Sequence, residues 1–322
     1  MQAQPAPGSR DVALDRPVRR RGRRRALRRP PFVLLAPTLI LLLVIVAIPF
    51  VIGVYTSVTD LNQHTITHWS SAPFIGLQNY VDGFTATAAL GATLLQSIWA
   101  SVSFSLMTTV LIIPIGIVAA LLMNTSFRGR SVVRTIFLIP FVMPVFVNAI
   151  TWRLLFMSGW GPIDRALAAL HLAGVNTYWL IGPNSFWAMV MADVWASWPF
   201  VYLMTLAGLQ QISRDLYEAA AIDGASGWRS FFAITAPLLR PIFGLAVLLS
   251  TINHFNNFTL PFVMFGTPPP VAVDVLPLNI YVTSFQLFDL GQGAAMSFVA
   301  LLVMLVPAIF YIRLVRLGEQ SL

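Results

Sequence analysis

Six apolar runs constrain this chain more than any other feature. They lie at about 32–58, 97–123, 132–157, 185–209, 241–264 and 294–316. A helix needs roughly 20 apolar residues to cross a bilayer, and each run supplies them. The chain is 57% hydrophobic and 10% charged, whereas soluble domains carry about 25% charge. A soluble core cannot absorb this much apolar sequence, so the bilayer is the expected solvent. The expected fold is all-α, a polytopic membrane bundle of six transmembrane helices. Pro49, Pro114 and Pro144 fall inside these runs and are expected as kinks that bundled neighbours tolerate.

Arginine placement gives an orientation. The chain has no lysine, and its 20 basic residues are all arginine. Ten precede Pro30, in a Pro/Arg/Gly-rich tail expected to be disordered over 1–31. Arg128, Arg130 and Arg134 flank the second inter-run connection; Arg214, Arg229 and Arg240 lie in the fourth; Arg313 and Arg316 follow the last run. Only Arg153 and Arg165 fall on the other side. The expectation is N-in and C-in, with residues 32–322 forming one transmembrane domain in a bacterial cytoplasmic membrane. The net charge of +8 does not point to nucleic acid, because the basic tail has no aromatic residue to stack on bases. Its arginines could also touch anionic lipid.

Missing residues exclude chemistry. Without lysine there is no phosphate-loop lysine and no Schiff base. Without cysteine there is no thiolate nucleophile or thiolate metal site. The four histidines are scattered. No catalytic constellation, metal site or cofactor is expected, and the chain is not read as an enzyme.

One polar stretch, about 211–240, separates the fourth and fifth runs. Ser213 is placed to cap a short helix with Asp215 and Glu218 near its positive end. Asp223-Gly224 then breaks it, since glycine tolerates a left-handed C-terminal cap. Ser226 is placed to cap a second helix bearing Trp228, Phe231 and Phe232, which Pro237 and Pro241 are expected to end. The reading is a helix-turn-helix.

That stretch resembles the cytoplasmic coupling loop of binding-protein-dependent ABC importer permeases. The family pattern reads here as Glu218-Ala219-Ala220, then Asp223-Gly224, Ile234 and Pro237, with Ala236 where a leucine is usual. The resemblance covers nearly all the chain after residue 32 and is strongest to the sugar type, in the maltose and glycerol-phosphate branch. "FIGLQNY" at 74–80, "FRGRSVVRTIFLIPFVMP" at 127–144 and "FNNFTLPFVMF" at 255–265 are similar to that branch. Gly266-Thr267-Pro268-Pro269-Pro270 departs from it, and the proline run is expected as an extended surface turn. The resemblance implies a permease subunit that works with a second related permease subunit as a heterodimer. It also implies two ATP-binding cassette ATPase subunits docked on the coupling loop, an extracytoplasmic solute-binding protein, and a carbohydrate substrate.

Polar residues inside a membrane run are functional candidates. Asp193, Ser197 and Phe200 are spaced to share one face of the fourth helix. Ser250, His254 and Asn257 repeat that spacing on the fifth. Trp195 and Trp198 flank the first stripe, and an aromatic beside polar groups suits a sugar. The resemblance points to the same six positions as a sugar pathway, with Asp193, Ser197, Phe200 and His254 changed from the branch's residues and Ser250 and Asn257 retained. Asp193 is also open to a structural reading, paired with His254 or with an arginine of a partner subunit, His254 to one as a structural hydrogen bonder, and Ser197 and Ser250 to simple packing. Asn148 and Trp152 read as a packing pair. The alternative function is a proton-coupled secondary transporter with Asp193 and His254 as relay. A membrane enzyme acting on lipid-linked sugar is less well supported, because the acids are scattered.

Overall fold

The computed structural model describes residues 31–85, 92–171 and 177–319. The tail before Pro31, expected to be disordered, lies outside the described residues. The chain divides into two compact units, Met1–Phe50 and Val51–Leu322. In the first, α1 (Pro31–Leu42) leads into a π-helical turn, Leu43–Ala47. The run continues as α2 (Ile48–Ser57), and Leu35–Ser57 has a mean hydropathy of 2.9.

The second unit carries the bundle. In order follow α3 (Gln78–Thr85), α4 (Leu94–Asn124), α5 (Arg130–Val142), α6 (Val145–Leu155) and α7 (Pro162–Ala169). Next come α8 (Asn184–Leu209), α9 (Arg214–Ile222), α10 (Gly227–Ser230) and α11 (Ala236–Phe255). The chain ends with α12 (Thr259–Phe265), α13 (Leu276–Tyr281) and α14 (Leu290–Glu319). Among the described residues the only β pairing is a bridge between Thr59 and Phe74.

The long helices pack by close approach. Water does not drive apolar faces together inside lipid, so small residues and interhelical hydrogen bonds do that work. A Cβ added to Gly116 of α4 would lie 2.6 Å from the Val201 Cβ of α8. Gly208 of α8 sits in the same way against Leu239 and Ile242 of α11. Ser105 donates to the Thr251 carbonyl at 2.7 Å, tying α4 to α11; such bonds average about 0.6 kcal/mol in membranes. Thr93 starts α4 with a capping box, its hydroxyl accepting from the Gln96 N–H and its own N–H donating to the Gln96 side chain. One core cluster gathers Phe104, Phe156, Met189 and Leu260; a second, toward the C-terminal end of α8, gathers Ala120, Tyr202, Leu206 and Leu239. Val110, Val118 and Leu122 of α4 and Val306 and Phe310 of α14 face outward, as lipid-facing residues should.

Several expectations need correction. Five helices are long and apolar enough to cross a membrane, or six if the third run counts as one span. That run is broken: α5 and α6 meet at 90°. Met143 is extended (φ −66°, ψ 128°), as the residue before a proline tends to be, and Pro144 follows it. The fifth run is displaced. Its helix starts at Gly227 and ends at Phe255, so Pro237 and Pro241 lie inside it and do not stop it. A π turn at Phe231–Thr235 precedes Pro237. The wider turn has already disturbed the regular carbonyl pairing that a proline would break. The proline run is not wholly at the surface: Pro268 is exposed, but Pro269 is buried.

Candidate functional site

Two sites emerge at different levels of the second unit. The first is the hairpin of α9 and α10. Ser213 Oγ accepts from the Asp215 N–H at 3.3 Å, and Ser226 Oγ from the Arg229 N–H at 3.3 Å. Gly224 adopts φ +77°, and the N–H groups of Gly224 and Ala225 donate to the carbonyls of Ala221 and Ala220. Both expected caps and the left-handed stop are therefore present. Glu218, Ala219, Asp223 and Gly224 are exposed, and Ala220 is half-buried.

The hairpin is also fixed to the bundle, by a bond the sequence did not disclose. The Tyr217 and Thr235 hydroxyls lie 2.9 Å apart, joining α9 to the π turn ahead of α11. Ile222 is 87% exposed and Trp228 75%, and Trp228 packs edge-on against Phe232 with centroids 5.0 Å apart. A capped hairpin with an exposed apolar crest has a surface on which another protein can dock.

The second site is a cavity of about 350 Å³ between α8 and α11. All six expected pathway residues line it, together with Phe141 and Asn253. Asp193, Ser197 and Phe200 share a face of α8, as their spacing required. Asn257 reaches the wall differently. It lies beyond the end of α11, in the break before α12, where its Oδ1 accepts from the Leu260 N–H at 3.2 Å. Its Nδ2 donates to Asp193 Oδ1 at 3.2 Å. Asp193 Oδ2 lies 2.7 Å from His254 Nδ1. That approach is off the direction of a good hydrogen bond, so it is an ion-pair contact by distance. His254 is buried edge-on to Phe104, centroids 6.3 Å apart.

Other side chains in the wall divide by exposure. Ser250 Oγ and His254 Nε2 are buried without a hydrogen-bond partner among the described residues. Asn253 is exposed. Phe141 stacks on Phe200 at 6.5 Å and 26°. Trp195 and Trp198 are absent from the wall; they pack on Trp152 and Phe137 instead. Asn148 donates to the Ala192 carbonyl at 3.3 Å, which fits packing. Asn253 was legible in principle, three residues after Ser250 on the same face. Phe141 was not, because the α5–α6 break brings it there. A larger cavity of about 540 Å³ is lined mainly by apolar residues such as Leu95, Trp99 and Phe186. It holds none of the converging polar groups, so the smaller cavity is the better candidate.

A third polar cluster lies at the other end of α4. Asp274 Oδ2 accepts from the Ala92 N–H at 2.7 Å and from Asn279 Nδ2 at 3.0 Å. Asn279 Nδ2 also donates to the Ala92 carbonyl at 2.7 Å. Burial pushes the Asp274 carboxyl up to about 6, against the lowering effect of those two donors. Nothing local in the chain signals it, since Ala92 lies 182 residues from Asp274.

A bundle of long apolar helices with an exposed hairpin and a polar cavity between two of them fits a membrane transport subunit. Residues 112–322 match the family described as binding-protein-dependent transport system inner membrane component, and the chain belongs to that family. It is 35% identical over 289 residues to the trehalose/maltose transport system permease protein of Thermococcus litoralis, covering 88% of this chain and 93% of that one. It is 33% identical over 285 residues to the sulfoquinovosyl glycerol transport system permease protein of Agrobacterium fabrum, covering 88% and 89%. The fold is similar to a chain in the crystal structure of a bacterial alginate ABC transporter with its alginate-bound periplasmic protein. The TM-score is 0.72 at 20% identity, over 87% of this chain and 92% of that one.

Proposed function

We propose that this chain is the permease subunit of an ATP-driven importer that moves a carbohydrate across the inner membrane by alternating access. The observation that carries this reading is the polar cavity between α8 and α11, in a chain whose relatives are named as sugar permeases. Asp193, Ser197, Phe200, Ser250, His254 and Asn257 line the pathway. Glu218, Ala219, Ala220, Asp223 and Gly224 form the docking hairpin for an ATPase subunit. The working assembly contains a second, related permease subunit, two ATPase subunits and an extracytoplasmic solute-binding protein. The broken α5–α6 pair counts as one of six spans, with both termini in the cytoplasm; the arginine distribution supports that arrangement.

Coupling needs only that hairpin displacement favour one of two bundle states, and that substrate contacts differ between them. The Tyr217–Thr235 hydrogen bond and the helical run from Gly227 to Phe255 connect the hairpin to α11, so a moving hairpin pulls on one wall of the cavity.

Reconstitution tests this. Proteoliposomes holding the four-subunit complex and its binding protein should take up labelled trehalose or maltose only when ATP is supplied to the ATPase side. Uptake without ATPase subunits, driven by a proton gradient and abolished by an ionophore, would establish the secondary-transporter alternative instead.

A further inference from the structure

We propose that α3 is a membrane-surface helix whose exposed apolar side lies in the bilayer leaflet at the end of the bundle away from the hairpin. In the N-in arrangement that is the outer leaflet, and the partner is the boundary between its headgroups and acyl chains. The placement starts from how α3 is fixed. Asn79 Nδ2 donates to the Ser57 and Thr59 carbonyls, each at 3.0 Å, where α2 ends. The Tyr80 hydroxyl donates to Ser57 Oγ at 2.8 Å. Gly83 lies against Leu94, the first residue of α4. Gly291, near the start of α14, leaves no room for a Cβ beside the Thr59 carbonyl and the Asn79 side chain. The helix is thus pinned across the ends of three long apolar helices, and the polar interface of a bilayer lies where its spans end. That end is opposite the hairpin, because α4 and α8 run in the same direction and the hairpin follows α8.

The side of α3 turned away from these contacts is apolar. Leu77, Val81 and Phe84 are spaced i, i+4, i+7, and the Leu77 carbonyl accepts from the Val81 N–H, so the three share a helical face. They are 68%, 51% and 51% exposed. Asn79 and Gly83, on the opposite face, are buried. Gln78 Nε2 donates to Asp82 Oδ1 at 2.8 Å, a polar pair between the two faces. Exposed apolar side chains gathered on one face mark a contact surface.

The neighbourhood of that face identifies the partner as lipid. Val51, Val54 and Tyr55, in the last turns of α2, are exposed too, so apolar surface reaches the level at which α3 is attached. Trp69 is exposed beside them, and the Tyr55 hydroxyl donates to the Ser70 carbonyl at 3.4 Å. Tyrosine and tryptophan are the residues enriched at membrane–water interfaces. Charge then sets the kind of lipid contact. Residues 59–96 contain Asp60 and Asp82 and no arginine, whereas surface helices held by anionic headgroups carry basic residues on their polar face. Apolar burial therefore holds α3, and zwitterionic and anionic lipid should serve it equally.

Spin labelling of the assembled complex tests this. Leu77→Cys, Val81→Cys, Phe84→Cys and Gln78→Cys are made singly in a chain that has no cysteine of its own, and the wild-type complex treated alike gives the background from the other subunits. The nanodiscs are phosphatidylcholine alone or mixed with phosphatidylglycerol. Nitroxides replacing Leu77, Val81 and Phe84 should collide more with oxygen, which concentrates in lipid, than with a water-soluble nickel chelate. The nitroxide replacing Gln78 should show the reverse order, in both lipids. Three positions on one face keep the result independent of any single substitution. Preference for the chelate at those three would place the face in water and overturn the proposal. Low collision with both reagents would mean that a neighbouring subunit covers the face, which also overturns it. A fall in both on adding the solute-binding protein would assign the face to that protein and overturn it as well. An oxygen preference confined to the anionic nanodiscs would make charge the attraction and overturn the apolar chemistry stated.

Discussion

Asp274 is the residue whose environment makes the sharpest thermodynamic demand. Its carboxyl titrates near 6 in the folded protein, against about 3.9 in an unfolded chain. The folded state therefore holds the proton more tightly, and stability falls as pH rises from about 4 to about 6, then levels off. Two units correspond to roughly 3 kcal/mol in all, lost once the group is ionised. Asp274→Asn keeps an acceptor for the Ala92 N–H and Asn279 and cannot ionise. It should raise Tm relative to wild type at pH 7.5, and by less at pH 5. Asp274→Ala should lower Tm at both, because buried donors lose their acceptor. Differential scanning fluorimetry of the purified complex at the two pH values checks this. A lower Tm for Asp274→Asn at pH 7.5 would mean that the buried charge is favourable after all. Asp289 feels the same push, raised by burial with Asp60 and Asp82 adding to it, but Asp274 is the one tied to α4.

At the scale of elements, the hairpin was legible because its determinants are local. A serine, an acidic first turn, a glycine and a second serine at fixed offsets specify two caps and a stop whatever surrounds them. Longer elements were legible in place but not in extent. Pro237 reads as a helix stop, yet a π turn joins α10 to α11 in one helical run from Gly227 to Phe255. Pro144 reads as a kink within a span, but whether it bends the helix slightly or by 90° depends on what α6 packs against. The six expected residues that line the cavity were picked out through side-chain spacing. Asn257 met that pattern for the wrong reason, since it caps α12 rather than extending α11. The 2.7 Å approach of Asp193 to His254 was not legible in the spacing, because the two residues lie on different helices and only the packing of α8 against α11 brings them together. Gly224 gives the test at this scale. At φ +77° it holds a conformation that proline cannot adopt, and proline would also remove the N–H bonded to Ala221. Gly224→Pro should leave membrane insertion unchanged and cut co-purification of the ATPase subunit at least severalfold. Normal co-purification and uptake would show that the hairpin is not the docking element.

The whole molecule must be oriented before any of these parts can work together, and orientation makes a demand that no local contact supplies. Eighteen of 20 arginines fall on one side of the six-run pattern, and the hairpin falls on that same side. Arg214, Arg229 and Arg240 belong to the hairpin stretch, but the other counted arginines lie elsewhere in the chain and point to the same side. Arginine is costly to translocate, so the side rich in it should stay in the cytoplasm, where ATP is. The α4 and α8 helices run in the same direction, with Ala100 beside Ala188 in one cluster and Ala120 beside Tyr202 in another. The hairpin, which follows the end of α8, and the Asp274 cluster, which sits at the start of α4, therefore lie at opposite ends of the bundle. Because the chain has no cysteine, single introduced thiols report each end cleanly. Ser226→Cys, exposed on the hairpin, should react with an impermeant maleimide only after the membrane is opened. Gln63→Cys and Pro268→Cys, both exposed, should react in intact cells. Pro269 is unsuitable, being buried. External labelling of Ser226→Cys would put the hairpin beyond the reach of any ATPase and end the coupling account. Internal labelling of Pro268→Cys would instead show that α12 and α13 do not return to the outer side, and would remove α11 from the list of complete spans.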